Sequence, residues 1–464
     1  MSAVSASARS VPFLVAFILI VGGVVLAVVP PTGLPPADAR AIGLAVGTVG
    51  LWATGLIAES LTALLFFTLA MLAKVAPPEI VFAGFVSSAF WLILSGLIIG
   101  AAIRHSGLGD RIAGLLARPL GRTYRGALTG VTLFGLAMAF VMPSAMGRIA
   151  LMLPILAALA ERLGHPDGSR GHHGLVLGGI FGTYLPSSAI LPANVPNNVM
   201  AGMVETLFGD PLAFGSYLLD HFPVLGLVKT AMLIAVLLAL YGRETATTGK
   251  RQSPPIQPMS PVEKRLSVVL ATALAFWSTD SLHHLSPAWV GMAAAVLCLF
   301  PPLALLPRKA LQSINLEPVF YVGAIISLGA LVAHVDPGHR LVASILDVLN
   351  LAPGRSIANF VQLCGLSTVV GLFVTLPGVP AVLTPFADLF AKAGDLSPAA
   401  VLVTQVVGFS TVILPYQAPP LVMAMQVADL PRRAMSRLCL MTAATTIVIL
   451  WPLDVLWLSL LGVI

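Results

Sequence analysis

Apolar positions in this chain come in blocks of roughly 18 to 30 residues, longer than the one-sided stripe a surface helix needs, and polar positions gather in the gaps. The blocks 11–30, 39–57, 60–77, 87–104, 174–204, 221–241, 265–282, 287–305, 316–334, 398–427 and 438–460 are predicted to be helices that cross a bilayer, whose hydrocarbon core takes about 20 residues of helix. Outer-membrane strands would be about 10 residues each and would alternate, so a β-barrel is excluded. Two further apolar stretches, 125–160 and 357–390, are interrupted midway by Pro and Gly and are predicted to be re-entrant hairpins. Eleven crossings remain. The polar start Met1–Ser10 leads into an apolar stretch ending near Pro30, too long for a signal peptide and without a small-residue cleavage site, so a retained first helix is expected.

Two of the blocks share a pattern, Leu-Pro-x-x-x-Pro-x-x-Val-Met-Ala, at Leu191–Ala201 and again at Leu414–Ala424. Prolines remove backbone donors and break a helix, and hydrocarbon offers no water to the freed carbonyls, so such breaks survive only beside protein or a cavity. Paired broken helices at matching positions of two repeats point to the midplane binding site of a secondary carrier. Other correspondences support a duplication: Trp52 with Trp277, and Phe140-Val-Met-Pro143 with Phe373-Val-Thr-Leu-Pro377. A polar stretch rich in Pro, Ser and charge, Gly242–Arg265, divides the halves. With the first helix set aside each half has five crossings, an odd number, so the halves face opposite ways.

Composition narrows the class. With 58% hydrophobic residues, 9% charged and a mean hydropathy of +0.96, the chain is far from a soluble globule, where about 25% is charged. The net charge of +6 reads as topology and not as affinity for nucleic acid. On the predicted spans 18 of the 25 Lys and Arg fall on one side and only Arg40, Lys74, Arg340, Arg355 and Lys392 on the other. By the positive-inside rule the N-terminus is cytoplasmic and the C-terminus outside. Only Arg148 and Lys229 are left within the membrane. His105–Arg122 is amphipathic and is expected on the cytoplasmic surface. Three scattered cysteines, Cys298, Cys364 and Cys439, indicate neither disulfides nor zinc, and the pairs His172-His173 and His283-His284 lack partners at metal spacing. No nucleophile-elbow, zincin or phosphate-loop motif is present, which argues against an enzyme or an ATP-driven pump.

These segments resemble the divalent anion/sodium symporter family, carriers of dicarboxylates, citrate and sulfate within the ion transporter superfamily. The likeness runs from Trp52 and Glu59 through Phe85–Ile112 to both breaks; Ser410–Ala424 is similar to the family's Ser-x-x-x-Leu-Pro-x-x-x-Pro-Pro pattern, and Pro196, Asn197 and Asn198 stand at the Pro and Asn positions of its Thr-Pro-Pro-Asn loop. The resemblance implies an all-α polytopic membrane protein: eleven helices in two inverted repeats, two re-entrant hairpins and two broken helices, in homodimers with elevator-like movement. The implied division is scaffold at 1–124 and 265–355, transport domain at 125–241 and 356–464, and a cytoplasmic linker at 242–264. The family's Ser-Asn-Thr at each hairpin tip is absent: the first tip reads Pro143-Ser-Ala-Met-Gly-Arg148, the second Thr375-Leu-Pro-Gly-Val-Pro380. Coupling to sodium, to protons, exchange and uniport all stay open, and no other cofactor is expected.

The candidate substrate-binding residues follow from the breaks. An arginine inside the membrane costs about 2.5–3.5 kcal/mol on insertion scales and marks a functional or paired site. Arg148, one turn past the first hairpin break, could give an anion bidentate donors in place of a sodium ion; the structural alternative is a buried pair with a carboxylate such as Asp388. Asn194, Asn197 and Asn198 exceed what one helix cap requires. Ser144 and Thr375 are the polar remnants of the hairpin tips, and Ser410, Thr411, Tyr416 and Gln417 line the second break, where hydroxyls can instead bond helix carbonyls. Thr183, Ser187 and Ser188 share that ambiguity. Pro143, Pro192, Pro196, Pro377, Pro415 and Pro419 are the helix-breaking residues. Lys229 could line the path, snorkel or neutralise an acid. The expected partners are a small anion (di- or tricarboxylate or sulfate), the lipid bilayer of an inner membrane and a second copy of the chain. A cation/proton or metalloid antiporter of the same superfamily is the first alternative, a channel or non-transporting receptor the second.

Overall fold

The computed structural model describes residues 17–30, 34–54, 56–109, 111, 123–209, 211–244, 258–283, 285–335 and 345–464. The amphipathic segment, the linker and the second histidine pair lie partly outside these, and the first ten residues wholly. There is no strand among the described residues. The principal helices are α1 Phe17–Val28, α2 Pro36–Thr54, α3 Glu59–Leu72 and α4 Ser88–Ser106, then α5 Tyr124–Val141 and α6 Ala145–Arg162. Next come α7 Arg170–Tyr184 and α8 Val195–Phe208, the halves of the first broken helix, and α9 Phe214–Tyr241. The second half of the chain gives α10 Pro261–Ser278, α11 Pro287–Leu299, α12 Glu317–His334, α13 Ser356–Phe373, α14 Gly378–Leu383 and α15 Ala387–Gly394. It closes with the second broken helix, α16 Pro398–Ser410 and α17 Pro419–Val427, and α18 Arg432–Leu460.

Local chemistry sets many of the boundaries. Thr123, Ser144, Ser169 and Ser397 accept hydrogen bonds from Gly126, Gly147, His172 and Ala400 amides at 3.0–3.2 Å, capping α5, α6, α7 and α16. Ser260 and Glu263 form a reciprocal capping box at the start of α10. Pro196 and Pro419 sit in the first positions of α8 and α17, where a missing N–H costs no helical bond. Gly107 and Gly209, at φ 75° and 72°, end α4 and α8 in the left-handed region.

Among the described residues six helices are long and apolar enough to cross a membrane, α4, α5, α9, α12, α13 and α18; α1, α3, α11 and α16 are shorter and apolar. α9 and α18 start earlier than their apolar cores, at Phe214 and Arg432, because a helix can carry polar turns such as Ser216–Asp220 and Arg432–Arg437 outside the hydrocarbon. The arms α5 and α13 are 18 residues each, about 27 Å at 1.5 Å per residue. By length and composition each of these arms could itself cross a membrane.

The two indoles that mark the repeat have the same employment. Trp52 donates to the carbonyl of Glu59 at 3.2 Å and Trp277 to that of Pro287 at 2.9 Å, each binding the first residue of the following helix. α2, α3 and α12 share one apolar core around Phe66, Trp52 and Tyr321, and most remaining helices share a second. Close approach is bought by glycines: Gly182 lies on the backbone of Thr132, and Gly408 on Ser367, in the repeat-related pairs α5/α7 and α13/α16. Large apolar side chains such as Leu64, Leu72, Val268, Phe373, Val448 and Leu460 stay exposed, a surface that suits lipid tails.

Candidate functional site

At the first break the chain leaves α7 at Tyr184, passes through 3-10 turns at Leu185–Ala189 and Leu191–Ala193, and re-enters helix after Asn194. Pro143 forms the turn of the first hairpin between Met142 and Ser144. Arg148 joins these two irregular segments. It is fully buried; Nε donates to Thr183 Oγ1 at 2.8 Å, Nη1 to the Met142 carbonyl at 2.5 Å, and Nη2 to the Thr183 and Ala193 carbonyls at 3.1 and 3.0 Å. The expected bidentate face is therefore turned to protein and not to an open site. The expected alternative, a pair with Asp388, is not formed either, for no carboxylate reaches Arg148 among the described residues. The reason is that hairpin and break leave orphan carbonyls which a five-donor guanidinium can satisfy without a counter-charge.

The asparagines divide by role. Asn197 Nδ2 donates to the Ser187 and Ile190 carbonyls at 3.0 and 2.9 Å and so braces the loop, which fixes its amide orientation. Its Oδ1 and that of Asn198 are buried without a partner. Asn194 does not cap α8 with its side chain and is bonded to Tyr184. Ser187 and Ser188 bond carbonyls three residues back.

In the second half a glutamine does what Arg148 does in the first. Gln417 Oε1 accepts from the Ile413 and Leu414 amides at 2.8 and 2.7 Å, its Nε2 donates to the Gly371 carbonyl at 2.7 Å, and its own carbonyl accepts from Leu376. Break and hairpin are again tied by one side chain. Pro415 opens the 3-10 turn Pro415–Gln417, and Pro377 precedes α14. Ser410 and Thr411 both bond back to the Val407 carbonyl, the plain reading for hydroxyls in a helix, and Thr411 Oγ1 also accepts from Trp451 at 3.3 Å. Tyr416 donates to Leu372. Thr375 shares a hydrogen bond with Tyr321 at 3.2 Å, in a cleft between the second hairpin and α2/α12 lined by Trp52, Val374 and Phe386.

The repeats pack crosswise. α8, downstream of the first break, lies on α14 of the second hairpin, and α17, downstream of the second break, lies on α6 of the first. Each half-helix downstream of a break thus packs on the hairpin of the other repeat. The first tip also rests on α4, where Pro143 and Met142 fill the space over Gly96 and Gly100. Gly147, lacking a side chain, lets Arg104 Nη1 approach the turn to within 3.4 Å of where a Cβ would stand. Sequence reasoning counts Arg104 among the cytoplasmic charges; its position at the last turn of an apolar helix was the available signal. Ser144 Oγ caps α6, and its hydroxyl has no acceptor among the described residues.

Lys229 is buried and donates to the Ser410 carbonyl at 2.6 Å. Asp454, which the sequence pattern did not single out, is also buried, whereas Asp388 is half-buried.

Comparison with known proteins agrees with this architecture. A family model described as the sodium:sulfate symporter transmembrane region matches residues 10–464. A membrane protein of Cupriavidus necator is 26% identical over 424 residues, 85% of this chain and 82% of its own. Inner membrane protein YbhI of Escherichia coli K12 is 26% identical over 337 residues, 70% of this chain and 69% of its own. The L-tartrate/succinate antiporter of the same strain is 25% identical over 227 residues, 47% of this chain and 46% of the antiporter, so that match spans about half of either protein. The crystal structure of the Alcanivorax borkumensis YdaH transporter shares the fold, with a TM-score of 0.56 at 13% identity over 92% of this chain and 99% of that one.

Proposed function

Because the chain belongs to the sodium:sulfate symporter family, the divalent anion/sodium symporters, we propose that it is a secondary active carrier of a small di- or tricarboxylate or sulfate. The observation that carries this reading is Arg148: a buried guanidinium with no counter-charge among the described residues, held between the first hairpin and the first break. A buried positive charge left unneutralised lowers the cost of bringing an anion to that centre. Arg148 acts through its field and by bracing the site; direct contact falls to the Ser144 hydroxyl, the Arg104 guanidinium, the N-terminal amides of α6 and α8 and the Thr375 hydroxyl, which shares a hydrogen bond with Tyr321. Asn194, Asn197 and Asn198 shape the first break, and Ser410, Thr411 and Gln417 the second.

The hairpins and broken helices move as one body against a scaffold of the remaining helices in a homodimer, with the N-terminus cytoplasmic and the C-terminus outside. Crosswise tying of each break to a hairpin supports such a body. The L-tartrate/succinate antiporter supports the dicarboxylate class. A second reading, with sodium retained, is favoured by the unpartnered amide oxygens of Asn197 and Asn198, which are hard oxygen donors suited to such an ion. Uptake of labelled succinate, citrate and sulfate into proteoliposomes tests both readings. A panel anion that enters in choline buffer supports the first, strict sodium dependence supports the second, and exclusion of all three anions under every gradient refutes the carrier.

A further inference from the structure

The repeat-related helices α9 and α18 each contain a π-helical insertion, Phe222–Val228 and Thr446–Leu450, and the two insertions pack together. Such insertions break the regular bonding of a helix and are frequent where it carries a function. Lys229 follows the first insertion directly, and Asp454 lies four residues past the second. Both side chains are 1% exposed. The Lys229 ammonium sits on the Ser410 carbonyl, which ends α16 at the break and has no helical donor, at the negative end of that half-helix. Asp454 is near enough to act on Lys229 electrostatically, yet the two do not form an ion pair, and Asp454 Oδ2 is buried with no hydrogen-bond partner.

A buried carboxyl with an unmatched oxygen near a buried ammonium has two arrangements. In one, Asp454 carries a proton and Lys229 stays on Ser410. In the other, Asp454 is ionised and draws the ammonium away from the break. The titratable groups carried by the segments around Asp454 are Lys229 on α9, Cys364 on α13, and Tyr217, Asp220 and His221 at the start of α9. The segments packed on α9 around Lys229 carry one carboxylate, Asp454 of α18, besides arginines near helix ends, His172, His173, Tyr124 and Cys439. Asp454 is thus the acid that acts on the ammonium held at the second break.

We propose that Asp454 is the proton-coupling residue of this carrier, and that Lys229 is the positioning residue that relays its protonation to the second break through the Ser410 carbonyl. This rests on the carrier reading above. One proton adds to an Asp454 carboxylate oxygen to form an O–H bond, the ammonium keeps its three protons, and the proton leaves on the other side of the membrane with the anion.

The test uses the full-length protein in proteoliposomes, in choline buffer, with the membrane potential clamped. Labelled succinate, citrate and sulfate are followed in two modes: exchange against the same anion at equal pH, and net accumulation driven by an acid-outside gradient with a pH dye inside. The wild type should accumulate one of the anions with dye acidification, by about tenfold per pH unit for one coupled proton. Asp454→Asn should keep exchange within about twofold while losing gradient-driven accumulation, and Asp454→Glu should keep both modes. Lys229→Met should retain exchange with a displaced pH profile. The proposal is overturned if Asp454→Asn still accumulates anion on a pH gradient, if the wild type exchanges but only a sodium gradient drives accumulation, or if Asp454→Asn and Asp454→Glu both lose both modes while eluting as folded protein. Wild type inert in both modes, with sodium also tried, refutes the carrier reading instead.

Discussion

Arg148→Met removes the strongest tie in the first repeat, and its cost can be worked from the contacts. Four donated hydrogen bonds disappear, one to Thr183 Oγ1 and three to the Met142, Thr183 and Ala193 carbonyls. At about 1.5–3 kcal/mol for each bond involving a charged group, the gross loss is roughly 6–12 kcal/mol. Against it stands the desolvation of a fully buried guanidinium, several kcal/mol, which the substitution relieves. The difference leaves a net cost of roughly 3 kcal/mol, because methionine packs the vacated volume while Thr183 Oγ1 and three carbonyls lose their donors. In a chain of this length about 2 °C or less per kcal/mol gives a fall of roughly 5 °C in the unfolding temperature, read in detergent at fixed scan rate. Hydrogen exchange should rise at 142–147 and 183–194 and stay unchanged at 413–417. Arg148→Lys keeps the charge but can reach only some of the carbonyls, so it should fall between wild type and Arg148→Met. An Arg148→Met protein that unfolds with the wild type and exchanges no faster at these segments would refute the bracing role.

Three further outcomes are expected. Gln417→Leu strands the Ile413 and Leu414 amides and the Gly371 carbonyl, so it should destabilise by roughly 3 kcal/mol and raise hydrogen exchange at 413–417, with no change at 183–194. Outside the membrane, the hydrogen bond from Arg111 and that from the Ser260 amide pull the Glu263 carboxyl down to about 2 from an ordinary value of 4.5. Its stabilisation is therefore complete above pH 4.5 and lost as pH falls toward 2; the difference in unfolding temperature between wild type and Glu263→Gln should be constant from pH 8 to 5 and shrink only below that. Finally, Ser216→Cys should react with an impermeant maleimide in intact cells and Lys264→Cys only after lysis, against a low background because the three native cysteines are buried; the reverse pattern would invert the assigned orientation.

The duplication, the two breaks and the all-helical class were legible in the sequence because they are properties of the chain itself. Length of an apolar run and loss of an N–H at proline need no neighbour to exist. Pro143, Pro196, Pro377 and Pro419 accordingly lie at turns or first helical positions. What each polar side chain does was not legible. Arg148 reads as an open anion receptor, and its partners are carbonyls up to 45 residues away. Gln417 reads as a ligand and is fully engaged by backbone groups. Asp454 stands near the end of its span, where a carboxylate ordinarily meets water, and only the packing of α9 and α13 on α18 buries it. Arg104 stands one turn from a helix end, and only Gly100 and Gly147 bring it to the hairpin tip. Every residue carries a carbonyl, so no sequence signal tells which one a buried donor will meet; whether a polar group is spent or free is decided by which segments the fold brings within about 3 Å of it.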